Sequence, residues 1–169
     1  MTPIQIIEQE FNSLKQRIAD NLDETGTTAS GQTKESLDVK TFVDGCILYG
    51  RKAFATVETG RKEGSIPFDF VEIIRRWAIS KGIRPDPIQY IRQESERWRP
   101  KYTPEERGMN AFAGSVAYTI RERGTQLHRN NGRNDIFSNE IQKTVEIIKS
   151  RLTELYKQLA IEKLQGGTL

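Results

Sequence analysis

Near the start of the chain, Ile4, Ile7, Phe11, Leu14, Ile18 and Leu22 recur three or four positions apart, the spacing that collects side chains on one helical face. Pro3 suits a helix's first turn, so an amphipathic helix is predicted over residues 3–22. The glycines and short hydroxyl side chains of residues 23–31 favour turns and end it. From Leu37 the period changes. Leu37, Val39, Thr41 and Val43 alternate with more polar neighbours, Asp44-Gly45 follows, and Cys46-Ile47-Leu48-Tyr49 is an apolar run. This reads as an antiparallel hairpin in which Gly45 supplies the positive φ of a tight turn.

Residues 52–65 carry glycines and charges and are expected to form a short helical turn and an exposed loop. Val71, Ile74, Trp77, Ala78 and Lys81 are spaced for one face of a central helix at 69–81, ended by Gly82. Pro85, Pro87 and Pro100 leave room for at most a short helix between Arg84 and Tyr102, so an exposed arm or lid is expected there. Thr103-Pro104-Glu105-Glu106 combines an N-cap hydroxyl, a first-turn proline and early acids. It opens a second central helix carrying Met109, Phe112, Ala113, Val116, Ala117 and Ile120 and running to Arg123. The polar stretch 129–135 cannot supply core. Beyond it Ile141, Val145, Ile148, Leu152, Leu155 and Leu159 make a long apolar seam that must meet another helix, either that of residues 4–22 or one from a neighbouring copy.

The pattern gives an α+β protein: an N-terminal amphipathic helix, a small antiparallel hairpin, central helices in an insertion at 66–134, and a long C-terminal helix. A length of 169 residues fits a single domain around such an insertion. With 36% hydrophobic and 29% charged residues, and no apolar run near the roughly 20 residues a membrane helix needs, a soluble protein made in a cytoplasm and without membrane contact is expected. The net charge of +3 is a weak bias towards anions.

The residue inventory argues against enzymatic chemistry. His128 is the single histidine and Cys46 the single cysteine, which excludes histidine-rich or thiolate-rich metal sites and an intrachain disulfide. Cys46 reads as a buried core thiol. There is no Gly-x-Ser-x-Gly elbow, and neither the P-loop nor the Gly-x-Gly-x-x-Gly pattern occurs, so no cofactor is expected and His128 reads as a structural or interface residue. Basic residues cluster at 51–52, 61–62, 75–76, 92–101 and 121–133. The segment Arg97-Trp98-Arg99-Pro100-Lys101-Tyr102 mixes guanidinium and aromatic groups as single-strand binders do. A small nucleic-acid-binding protein working through the surface around Trp98 is therefore the alternative. The reading preferred here is a solvated arm whose Trp98 and Tyr102 pack on a neighbour.

Two motifs carry a resemblance. Ser30-Gly31-Gln32-Thr33-Lys34-Glu35-Ser36-Leu37 resembles the Thr-Gly-x-Leu-x-x-Ser-Ile signature of the tail-completion and neck proteins of long-tailed phages. Phe54-Ala55-Thr56-Val57-Glu58-Thr59-Gly60 resembles the Tyr-Ala-x-Tyr-Val-Glu-x-Gly element that follows the hairpin in that family. The order of elements matches too, and with Gly124-Thr125-Gln126-Leu127-His128-Arg129 the arrangement is similar to neck or ring proteins of phages of gut Bacteroidetes.

The resemblance implies a structural virion subunit, a head–tail connector, tail-completion or tail-terminator protein. It implies a six- or twelve-fold ring of copies between portal and tail proteins, around the channel through which DNA leaves. On that footing Gly31, Ser36, Glu58, Gly60, Trp98, Tyr102, His128 and Phe137 are candidates for assembly contacts, Phe137 opening the last helix. Arg51, Arg61, Lys62 and Arg133 are candidates for non-specific contact with DNA. Gly31 and Gly60 read as chain-reversal positions, and Glu58 as a group that either caps backbone amides or pairs with a neighbour's arginine.

Overall fold

The computed structural model describes residues 1–28, 30–91 and 100–166. They divide into two compact units, one of residues 1–58 together with the chain from 133 onward, the other of residues 59–132. The class is α+β: among the described residues, helices in both units and one two-stranded antiparallel sheet in the first.

In the first unit α1 (Pro3–Glu24) opens with a reciprocal cap. The Thr2 hydroxyl accepts the Gln5 N–H and the Gln5 side chain accepts the Thr2 N–H, so two orphan amides are satisfied at once. At its other end the hydroxyls of Thr25, Thr27 and Thr28 donate to the carbonyls of Asn21 and Leu22, which gives the threonine-rich stretch its purpose. Then come α2 (Gln32–Glu35), β1 (Asp38–Thr41), β2 (Cys46–Tyr49), a 3-10 turn (Lys52–Ala55), α3 (Thr56–Thr59) and, after the second unit, α7 (Ser138–Gly166).

The strands pair with Val39 opposite Leu48 and Thr41 opposite Cys46. Gly45 does not take the expected positive φ. The reversal is spread over Phe42–Gly45, closed by the Phe42 N–H on the Gly45 carbonyl at 2.7 Å, and that wider turn needs no left-handed residue. A lone hairpin is marginal in water, and this one rests on α1. Cys46 is only half-buried, contrary to expectation, because it opens β2 next to the hairpin turn.

The core of this unit joins Leu14, Ile18 and Leu22 of α1 to Leu37 and Ile136, flanked by Leu48, Phe54, Val57 and Phe137. Helices α1 and α7 run antiparallel, and their contact is more polar than the sequence suggests. Arg17 bonds Glu140 at 2.9 Å and Thr144 at 2.7 Å, Arg151 bonds Glu10, and Asn21 bonds the Ile136 carbonyl. The expected apolar faces are corrected accordingly. On α1, Leu14, Ile18 and Leu22 are buried, but Ile6 and Glu10 take the places expected for Ile4, Ile7 and Phe11. On α7, Glu140 and Thr144 are buried while Ile141, Val145 and Leu159 of the expected seam are exposed. A periodicity that scores apolar residues passes over acids and arginines that pair with each other, and the arginine stems bury hydrocarbon as they do so.

The second unit packs α4 (Phe70–Ser80) on α5 (Pro104–Arg123), with α6 (Gln126–Arg129) after them. Thr103 and Glu106 form the reciprocal cap that opens α5. Phe70 and Ile74 of α4 meet Ala113 and Ala117 of α5, whose small side chains let the helices approach closely. Val71 and Trp77, expected on the packed face, are exposed; the face in use is that of Phe70, Ile74 and Ala78. The segment expected to be an arm is, as far as Tyr90, laid along the start of α5. The Ile88 N–H meets the Pro104 carbonyl at 2.9 Å, Arg107 covers the Tyr90 ring, and Gly108 lets the Asp86 backbone pass against the helix. Trp98 lies outside the described residues. Among the described residues, no helix is long and apolar enough to cross a membrane.

Candidate functional site

The first amides of a helix need acceptors, and the residue before α7 is Phe137, which has none to offer. Glu58 supplies them from α3. One of its side-chain oxygens accepts the N–H groups of Ile136, Phe137 and Ser138 at 2.9, 2.6 and 3.0 Å, and the other accepts the Ser138 hydroxyl at 2.5 Å. Glu58 is 2% exposed, and its backbone carbonyl also accepts the Arg133 N–H. Of the two roles considered for Glu58, backbone capping is the one found, and the group is fully engaged within its own unit.

This cap fixes where Phe137 points. Its ring packs on Phe54, centroids 4.8 Å apart, and both border an open apolar groove of about 720 Å³. The groove lies wholly within the first unit, between α1, β2, the 3-10 turn and the start of α7. Phe11, Leu48, Phe54, Phe137 and Ile141 give it an apolar surface, with Cys46 in its wall and Arg51 and Lys52 at its rim. Ile47, Tyr49, Ile141 and Val145 extend the apolar surface outward.

The first motif sits beside this groove. Gly31, at φ 76°, opens α2 in the left-handed region, where a β-carbon is disfavoured. The Ser36 hydroxyl donates to the Thr33 carbonyl and accepts the Arg51 N–H, and the Arg51 guanidinium donates to Gln32 at 2.9 Å. Ser36 and Arg51 thus tie the motif to the end of the hairpin. Arg133, also in this unit, forms a two-pronged pair with Asp135 at 2.5 and 2.6 Å. That hydrogen-bonded pairing raises the Arg133 pKa and holds the Asp135 carboxyl below the usual range, so both groups stay charged and the guanidinium is already paired.

In the second unit the end of the other motif meets the segment 124–129. Gly60 has φ 69°, and a β-carbon there would stand 2.5 Å from both the His128 amide and the Thr125 hydroxyl. Arg61 and Thr125 exchange bonds, amide to hydroxyl at 2.9 Å and amide to carbonyl at 2.8 Å. His128 Nδ1 lies 3.3 Å from the Thr59 carbonyl. Gly60 and His128 are therefore partners in one clasp. The Arg61 guanidinium donates to the Ser65 carbonyl and covers the Phe70 ring, whereas Lys62 is exposed near Glu63. Tyr102 is exposed beneath Lys101.

Sequence reasoning missed Ile136, Thr125 and Arg17. Ile136 carried a faint signal, an apolar residue beside Phe137 between a polar loop and a helix, the position of a hydrophobic staple. Among the described residues, no group of three or more His, Cys, Asp or Glu is arranged to hold a metal ion. What the groove can do chemically is take up apolar side chains beside a cationic rim. Compared with protein-family models, with curated proteins and with solved structures, the chain finds no match.

Proposed function

We propose that this chain is a structural subunit of a larger assembly, a ring in the neck or tail of a long-tailed phage, joining head to tail around the DNA exit channel. Its partners in this reading are copies of itself and the portal and tail proteins above and below. The observation that carries the proposal is the apolar surface left uncovered in the first unit: the groove, the outer side of the hairpin and the far part of α7. Exposed apolar surface of this kind marks a protein contact, because a solitary soluble chain gains nothing by leaving it in water. The two motifs that resemble the neck family supply the particular assembly. The Ser30–Leu37 segment is tied to the groove's edge through Ser36 and Arg51, which fits a role in shaping that contact.

Light scattering of the purified chain, followed by electron microscopy of any oligomer, tests the reading. A closed ring, alone or on portal particles, supports it. A solitary monomer that binds DNA tightly and loses that binding as salt is raised would replace it with the nucleic-acid reading.

A further inference from the structure

The turn that closes α6 is built on an asparagine where glycine is the usual choice. After the C-cap Asn130, Asn131 takes φ 62°, among the described residues the one non-glycine with a positive φ. Its N–H donates to the His128 carbonyl at 3.1 Å, and the Gly132 N–H donates to the Leu127 carbonyl at 2.9 Å. These are the paired bonds that end a helix through a left-handed residue. Asparagine is tolerated at that position, at a steric cost glycine does not carry.

The same residues are the reactants of a known asparagine lability. Asn131 is exposed and its carboxamide makes no hydrogen bond among the described residues, so it is free to rotate towards the next amide. That amide belongs to Gly132, which has no side chain to shield it. We propose that Asn131 is a site of spontaneous deamidation, gated by the opening of this turn. The Gly132 nitrogen gives up its proton and bonds to Asn131 Cγ; the Cγ–Nδ2 bond breaks, and the side-chain nitrogen leaves with that proton as ammonia. A five-membered succinimide remains. Water opens it at Cγ to give aspartate, or at the Asn131 backbone carbonyl carbon to give isoaspartate, which routes the main chain through the side-chain methylene.

While the turn is closed, the attacking nitrogen keeps its proton on the Leu127 carbonyl, and the reaction waits. Opening asks little, because α6 is four residues long and two bonds close its end. Asn12, followed by Ser13, is a built-in contrast. It lies in the middle of α1, its Nδ2 donating to the Glu8 carbonyl at 3.0 Å, and reaction there requires a long helix to unwind. At Asn131 the isoaspartate product adds a backbone atom to the capping residue, so the two bonds lose their register and α6, which carries His128 of the clasp, loses its closure.

The test incubates the full chain at mildly alkaline pH, folded or in denaturant, and follows each asparagine by tandem mass spectrometry and an isoaspartate methyltransferase assay. In the folded chain Asn131 should convert to aspartate and isoaspartate roughly ten- to a hundred-fold more slowly than in denaturant, the protection that two exposed hydrogen bonds give. Exchange of the Gly132 amide, which reports the same opening, should be slowed by the same factor. Asn12 should convert only in denaturant, and Asn131→Gly should abolish the isoaspartate formed by the folded chain. An Asn131 that stays intact in the folded chain over roughly a hundred denatured half-lives, the limit of that protection, would overturn the proposal by showing the turn shut. An Asn131 stable in both conditions would overturn the chemistry, and folded-state conversion of Asn12 at the pace of Asn131 would overturn the gate.

Discussion

At its start α7 is held from several sides: Glu58 accepts three successive amides, Ile136 is fully buried just before the first turn, and Arg17 grips Glu140 and Thr144 one and two turns further on. At its far end the same helix has run past α1, and Tyr156, Leu159, Ile161 and Leu164 all face solvent. The near end is not the more apolar of the two. Its anchorage comes from an acid, an arginine and a threonine that find partners across the chain, while the apolar residues accumulate where no part of the unit covers them. Apolar content locates surface that must be covered, but the partners actually present in the fold decide where a helix is fixed.

Substitutions along α7 test this contrast, beginning where the largest effect is expected. Glu58→Ala removes the acceptor of three amides and a hydroxyl, and should cost about 4 kcal/mol, since each buried polar group left unpaired costs roughly 1–3 kcal/mol. Thermal unfolding reads the loss, and amide exchange should localise it to residues 136–141; Glu58→Gln, which keeps one acceptor oxygen, should recover part of it. A Tm within a degree of the parent for Glu58→Ala would refute the cap's importance. Next, Ile136→Ala should cost about 3 kcal/mol, the usual range for opening a cavity at a buried isoleucine, and denaturant unfolding measures it.

Smaller effects are expected in the middle of the helix. The Lys143 ammonium, with Arg17 also bonded to it, holds the Glu140 pKa below its ordinary value. A lowered folded-state pKa contributes stability that is complete above the unfolded glutamate value of about 4.3 and is lost as pH falls through the lower folded value. Glu140→Gln should therefore cost about 1–2 kcal/mol at neutral pH, and the difference from the parent should vanish in acid below that window. A difference that stays constant from pH 7 to strong acid would contradict it. Smallest of all, Leu164→Ser at the bare end should change monomer stability by no more than about 0.5 kcal/mol. The same substitution should reduce the oligomeric fraction seen by light scattering, separating an interface residue from a core one.

Much of the architecture was legible before any coordinates. Helix α1 shows in the spacing of Leu14, Ile18 and Leu22, α5 in the Thr103–Glu106 cap, and the hairpin in the alternation after Leu37, because each depends on residues a few positions apart. The candidate site was legible only in part. Phe137 and Arg51 were singled out, but the groove they border is made by four elements from both ends of the first unit, and no local pattern records that meeting. Among the residues marked for DNA contact, Arg61 and Arg133 are already committed to partners, Ser65 and Phe70 for one and Asp135 for the other, which a count of charges cannot reveal.

The sequence alone determined the kinds of element and their order, because helical period, turn chemistry and caps are set by interactions within a turn or two. Only the tertiary structure decided which face of α1 and α7 is turned inward, that Glu58 caps a helix beginning 80 residues later at Ser138, and that Gly60 lies against His128. Those are pairings between distant groups with no mutual spacing to betray them, and they exist only once the backbone has brought the partners within hydrogen-bonding reach.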